Sequence, residues 1–277
     1  YIIMEKARVL FVSQEIYPFV KENELSKISR LLPENAEKNG KEVRVFMPRY
    51  GCINERRYNL HEVIRLSGIN IIIENNDHLL IIKVARMPNT SIQVYFIENP
   101  DFFQRKFTLR DDNNSFFDDN SERAIFFTRS VAESIKKLGW SPHVIVLHGW
   151  MSALLAPMVK YVYSKHPLFS DAKIVLAIHN DEFSESLSVN FLDKLLFDDL
   201  SAEFFPNISK KSNYINLMKD ALMHSDAAMF LNENVNSELV EFSKSLDIPV
   251  INMFNENEIL NNFNDFIDDL VAEELLS

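Results

Sequence analysis

Three short polar clusters hold the side chains of this sequence best suited to binding or catalysis. Ser13–Leu25 (SQEIYPFVKENEL) carries Lys21, an ammonium on a flexible stem that serves either as an anion contact or as a solvated loop lysine. His148-Gly149-Trp150 sets an imidazole beside an indole. Flat aromatic faces of this kind suit sugar rings, and they suit core packing at a strand-to-helix junction equally well. In His179-Asn180-Asp181, His179 offers a hydrogen-bonding ring either to a ligand or to a buried structural partner, and Asn180 adds an amide. Other patterns lead nowhere. Asp111, Asn113, Ser115 and Glu122 fall at positions one, three, five and twelve of a calcium loop, but Phe116 stands where the loop needs glycine, so a solvated acidic loop is the better reading. Serine, histidine and aspartate are all present, yet no Gly-x-Ser-x-Gly elbow positions a nucleophile.

The elements around these clusters alternate. Arg8–Ser13 reads as a buried strand, Glu24–Lys38 as a helix closed by Asn39-Gly40, and Glu42–Met47 as a strand stopped by Pro48. Val63–Ile73, Leu79–Ala85 and Ile92–Ile97 read as a three-stranded meander, with Asn75-Asn76-Asp77 as its first turn. Alternation then resumes. Ser121–Leu138 is helical, Val144–His148 a strand, Trp150–Ser164 helical and Lys173–Ile178 a strand. Asn213–His224 is helical, Ala227–Leu231 a strand, Asn234–Leu246 a helix and Ile248–Ile251 a last strand. The expected fold is α/β: a doubly wound, Rossmann-like parallel sheet with an inserted β-meander. In such a sheet all three clusters sit at carboxyl ends of strands, where ligands bind. Residues 4–253 read as one domain, and 254–277 as an acidic amphipathic helix without Lys or Arg, in which Ile259, Phe263, Phe266, Ile267, Leu270 and Val271 recur at helical spacing. That helix either packs on its own domain or displays its apolar stripe to a protein partner.

Bulk properties exclude several classes. The 277 residues are 47% hydrophobic, enough for a sizeable core, and the net charge of −11 disfavours nucleic acid as a partner. Apolar runs such as Ile69–Ile73 fall far short of the roughly 20 residues that span a bilayer, so no membrane association is expected. No secretory pattern opens the chain, and Met4 reads as the native start. Cys52 is the only cysteine, which rules out an internal disulfide or a cysteine-based metal site and fits a reducing cytoplasm. Five glycines in all work against a glycine-rich phosphate cradle.

Several segments, taken in order, resemble one family. These are Pro18-Phe19-Val20-Lys21-Glu22-Asn23-Glu24-Leu25, Pro48-Arg49-Tyr50-Gly51, and Asn120-Ser121-Glu122-Arg123 followed by Phe126-Phe127. Leu138-Gly139-Trp140-Ser141-Pro142-His143 comes next, then His148-Gly149-Trp150 with Ala153-Leu154-Leu155-Ala156-Pro157, and finally Ile178-His179-Asn180. From about Arg8 to Phe242 their order and spacing are similar to the N-terminal half of bacterial-type glycogen/starch synthases. The resemblance implies one half of a two-Rossmann-domain glycosyltransferase. Such enzymes transfer glucose from ADP-glucose or UDP-glucose to an α-1,4-glucan with retention, and need neither a metal nor a cofactor beyond the nucleotide sugar. It implies that Lys21 meets the donor diphosphate and that His179, the tentative catalytic residue, hydrogen-bonds the donor glucose. Asn180, His148 and Trp150 would line the substrate cleft.

The chain also departs from the pattern. Asn23 and Glu24 stand where the family has paired glycines, Gly149 where it has the aspartate of His-Asp-Trp, and the Tyr-Gln-Gly continuation after Ile178-His179-Asn180 is absent. The family's second domain, which supplies the cations at the diphosphate, is not encoded after Leu246, so these residues alone are expected to be inactive. Two functions follow: a glucosyltransferase half completed by another chain, or a non-catalytic glucan-binding, regulatory or scaffolding derivative. A protein partner or homo-oligomer is compatible with either.

Overall fold

The computed structural model describes residues 6–276, with side chains as far as residue 272. Met4, the side chains of Glu273 and Glu274, and Ser277 lie outside the described residues.

The strands are β1 (Arg8–Ser13), β2 (Glu42–Pro48), β3 (His61–Glu62), β4 (Ile69–Ile73), β5 (Asn76–Arg86), β6 (Gln93–Glu98), β7 (Val144–His148), β8 (Lys173–Ile178), β9 (Ala227–Phe230) and β10 (Val250–Asn252). They lie side by side in the order β10-β9-β8-β7-β1-β2-β6-β5-β3, with β4 paired on β5. The seven strands from β10 to β6 in that order are parallel, and β5, β3 and β4 form an antiparallel margin. The central runs VLFV, VIVLH and IVLAI are buried throughout, as parallel strands covered on both faces require. The helices used below are α1 (Glu24–Lys38), α2 (Asn120–Leu138), α3 (Trp150–Ala153), α4 (Tyr214–Met223), α5 (Ser237–Lys244) and α6 (Glu256–Leu276). α1 and α6 pack together over β1 and β7, while α2, α3 and α4 form a second contiguous group. Among the described residues no helix is long and apolar enough to cross a membrane.

Several boundaries differ from the sequence reading for identifiable reasons. The run Val63–Ile73 is not one strand. The Ser67 hydroxyl bonds back to the Val63 carbonyl, and Gly68 adopts φ +91°, so the chain turns between β3 and β4. The hairpin turn is Glu74-Asn75 rather than Asn75-Asn76-Asp77, because Asn76 already pairs with Ile73. β6 is not an inserted strand at all: it pairs in parallel with β2 and belongs to the main sheet. The helix expected over Trp150–Ser164 breaks after Ala153 and passes into a π-turn at Met158–Val162. Pro157 lacks the N–H that would bond Ala153 four residues back. The helix read over Asn234–Leu246 is shorter, α5, because the Asn236 side chain accepts from the Glu238 N–H and caps its start.

Candidate functional site

The sheet register sets the site. Ser13 pairs with His148, and His148 with Ala177, so the chain leaves β1, β7 and β8 almost level, at Gln14, Gly149 and His179. A cavity of about 270 Å³ opens over these ends. That is just under the ~300–1,000 Å³ of ordinary small-molecule pockets, and it accommodates a sugar-sized group.

A histidine pair lies at its base, with His179 in the cavity wall and His148 behind it. His148 Nδ1 lies 3.0 Å from His179 Nε2, and the two rings are 0% and 3% exposed. Burial holds His148 well below the usual histidine range and His179 down to about 3. Both rings are therefore neutral, one donating its N–H to the bare nitrogen of the other. The outer nitrogens, His148 Nε2 and His179 Nδ1, have no partner. His148 stacks on Phe11 beneath the cavity, while His179 and the exposed Asn180 line it. Trp150 also lines it, but its ring is fully buried between Phe116 and Phe183. Lys21 lies on the exposed loop before α1, outside the cavity wall. The structure thus brings His179, Asn180 and Trp150 together, sets His148 behind them, and leaves Lys21 apart. Phe116, the residue that spoils the calcium-loop pattern, is the aromatic lid on Trp150. Asp111 caps its own turn, accepting the N–H groups of Asn113 and Ser115.

Other side chains of the cavity take their roles from partners that only the fold supplies. The Asp181 carboxylate accepts the Tyr214 hydroxyl at 2.7 Å and the Trp150 N–H at 2.9 Å, and burial pushes its pKa up to about 6. Glu15, raised by burial, accepts the Asn23 amide at 2.7 Å. Glu24 and Glu182 add two more carboxylates to the rim, and Arg110 is held by a bidentate pair with Glu185. Tyr214 arrives from α4, far along the chain, which no spacing rule could anticipate.

The start of α1 borders the cavity with Asn23, Glu24 and Leu25. Asn23 caps the helix: its side chain accepts the Ser26 N–H, and the Ser26 hydroxyl returns to the Asn23 backbone. Glu24 sits in the first turn and accepts the Asn232 amide from the loop after β9. The Asn23 side chain thus engages one of the first-turn donors, the Ser26 N–H, and Glu24 sets a carboxylate at the positive end of the helix dipole.

The family model for the starch synthase catalytic domain matches residues 8–248. The chain belongs to the starch synthase catalytic domain family. Glycogen synthase of Chlorobium limicola is 35% identical over 220 residues, which cover 79% of this chain and 44% of that protein. Glycogen synthase of Chlorobaculum tepidum is 32% identical over 239 residues, covering 84% and 47%. The chain therefore spans less than half the length of these curated relatives. In fold it is similar to the catalytic domain of starch synthase IV from Arabidopsis thaliana, with a TM-score of 0.72 at 19% identity over 91% of this chain and 52% of that one. Gly149, where the resemblance implies an aspartate, has a structural reason of its own. Its φ is +80°, and a Cβ added there would lie 2.5 Å from the Gln14 side chain, whose Oε1 accepts the Met151 N–H at 3.1 Å. Gln14 now fills the space a side chain at position 149 would take. Asn23, by contrast, is extended (φ −148°), so no glycine is demanded there.

Proposed function

We propose that this chain is a non-catalytic, neutral-sugar-binding derivative of the glycogen/starch synthase N-terminal half, with an α-glucan as the expected ligand. The observation that carries this reading is the capped, acidic start of α1. Asn23 and Glu24 occupy the helix N-terminus where a donor diphosphate would be received. A carboxylate about 4 Å from a phosphate opposes it by ~1–4 kcal/mol. A neutral sugar meets no such penalty, and buried or half-buried carboxylates such as Asp181 are strong acceptors for its hydroxyls. His179 and Asn180 are assigned to sugar contact, and the reading requires neither metal nor cofactor.

A second reading, a transferase half working with a further domain or chain, rests on His179 and Asn180 keeping the family's residue types at the cavity. Calorimetric titration separates the two. Maltoheptaose is expected to release heat that Asn180→Ala diminishes, while ADP-glucose gives none. Heat with ADP-glucose, abolished by Lys21→Ala, would restore the transferase reading. A folded sample silent to both ligands defeats both.

A further inference from the structure

We propose a second binding site, for a small phosphate-bearing anion, at the amino-terminal edge of the sheet, opposite the strand-end cavity. Sheet register builds it. Arg44 on β2 pairs with Gln93 on β6, and Gln93 pairs with Arg86 on β5. Residues paired across neighbouring strands project from the same face, at a strand spacing of ~4.8 Å. The row Arg44–Gln93–Arg86 thus presents two guanidinium groups on either side of one amide. The Tyr95 hydroxyl donates to Gln93 Oε1 at 3.1 Å, which leaves the Gln93 NH₂ as a free donor. A cavity of about 440 Å³ runs along this row, within the ~300–1,000 Å³ of small-molecule sites. Lys6 and Lys41 also border it.

The cavity wall carries both signs, Lys6, Lys41, Arg44 and Arg86 against the carboxylates of Glu37 and Glu42. Lys41 is paired with Asp268 at 2.9 Å. Of the two carboxylates on the cavity wall, Glu42 accepts the Trp140 indole N–H at 2.6 Å and Glu37 accepts the Ser91 hydroxyl. The Arg44 guanidinium lies over the Trp140 ring, 4.9 Å from its centroid, and its Nη1 is covered from water without a partner. Among the described residues neither Arg44 nor Arg86 forms an ion pair. Two unpaired guanidinium groups beside a free amide donor, in a chain whose net charge is −11, are an anion-recognising arrangement. Their forked N–H groups match the oxygens of a phosphate. A carrier sugar or other small group would occupy the rest of the cavity.

The test is titration of the whole chain with inorganic phosphate and, separately, with a hexose monophosphate, read by calorimetry and by thermal shift. Both probes are expected to bind, and binding should weaken as sodium chloride is raised. Tighter binding of the hexose monophosphate would mark the whole cavity as the ligand site, and equal binding would mark the phosphate alone as the ligand. Arg86→Gln and Arg44→Gln should each weaken binding about tenfold or more, while the charge-matched control Lys210→Gln leaves it unchanged. Arg86 is exposed, so its variant keeps the fold and decides the matter should Arg44→Gln destabilise the packing on Trp140. No binding of either probe to the wild-type chain, or equal binding by Arg86→Gln and Lys210→Gln, would overturn the proposal. Maltoheptaose titration of the same variants reports independently on the strand-end cavity.

Discussion

At Asp181 two requirements compete. Its carboxylate holds the Trp150 N–H and the Tyr214 hydroxyl, yet burial raises its pKa to about 6, against an ordinary value near 3.8. The folded state therefore binds this proton more tightly than the unfolded state. Its contribution is greatest below pH ~4 and is lost as pH rises through about 6. Asp181→Asn removes that dependence. Between pH 4 and 6 the difference in unfolding free energy between wild type and variant should change by roughly 1.4 kcal/mol per pH unit, wild type gaining relative to the variant as pH falls. Urea denaturation across that range measures it, and parallel curves would show that Asp181 titrates as an ordinary surface carboxylate. Gly149 gives a second prediction. Gly149→Ala meets both the left-handed backbone and the Gln14 side chain, and should cost about 1–3 kcal/mol of stability. Adding Gln14→Ala should not rescue it fully, because the strain at φ +80° remains. Full rescue would place the whole cost in side-chain overlap. His179 and Asn180 were legible in the sequence because a polar cluster directly follows an apolar strand. Asp181 stood in the same cluster, but its role depends on Tyr214 and on the Trp150 backbone, contacts that only the folded chain creates.

At the scale of elements, the start of α1 holds the functional argument and its own test. Asn23→Ala removes the cap on the Ser26 N–H and should lower stability by about 1 kcal/mol. Asn23→Gly with Glu24→Gly costs less at the cap position and removes the carboxylate. If self-occupation of this helix end is what excludes a diphosphate, the double variant should acquire measurable binding of ADP that wild type lacks. Failure of the folded variant to gain it would place the exclusion elsewhere. The same segment shows what sequence could and could not convey. Its helix was readable from apolar spacing and from Asn39-Gly40, and the central strands from unbroken β-branched runs. Val63–Ile73 looked equally strand-like, but Ser67 and Gly68 supply a local turn that outcompetes the ladder. Trp150–Ser164 had helical spacing throughout, and Pro157 broke it. β6 had the composition of a meander strand. Only long-range pairing with β2 distinguishes an inserted hairpin strand from a member of the parallel sheet.

The whole molecule is best understood from its C-terminal helix. In sequence, residues 254–277 look like an acidic appendage to a domain ending at 253. In the structure Ile259, Phe263, Ile267 and Leu270 of α6 are each at most 3% exposed, and the Phe263 ring meets Phe11 of the central strand at 6.1 Å. Asp268 pairs with the buried ammonium of Lys41, whereas Asp265 and Asp269 face solvent. Burying four such side chains is worth ~1.5–3 kcal/mol each, or ~6–12 kcal/mol together as an upper estimate. The entire stability of a domain is ~5–15 kcal/mol. We therefore predict that α6 and the sheet unfold as one unit. Phe263→Ala should lower the stability of the whole chain by about 3–5 kcal/mol, and a chain ending at Met253 should show no cooperative unfolding transition by urea or heat. If that shortened chain instead unfolds cooperatively with a midpoint close to wild type, α6 is a detachable element. Its apolar stripe would then be free to leave the sheet for a protein partner, and residues 6–253 would be a domain in their own right.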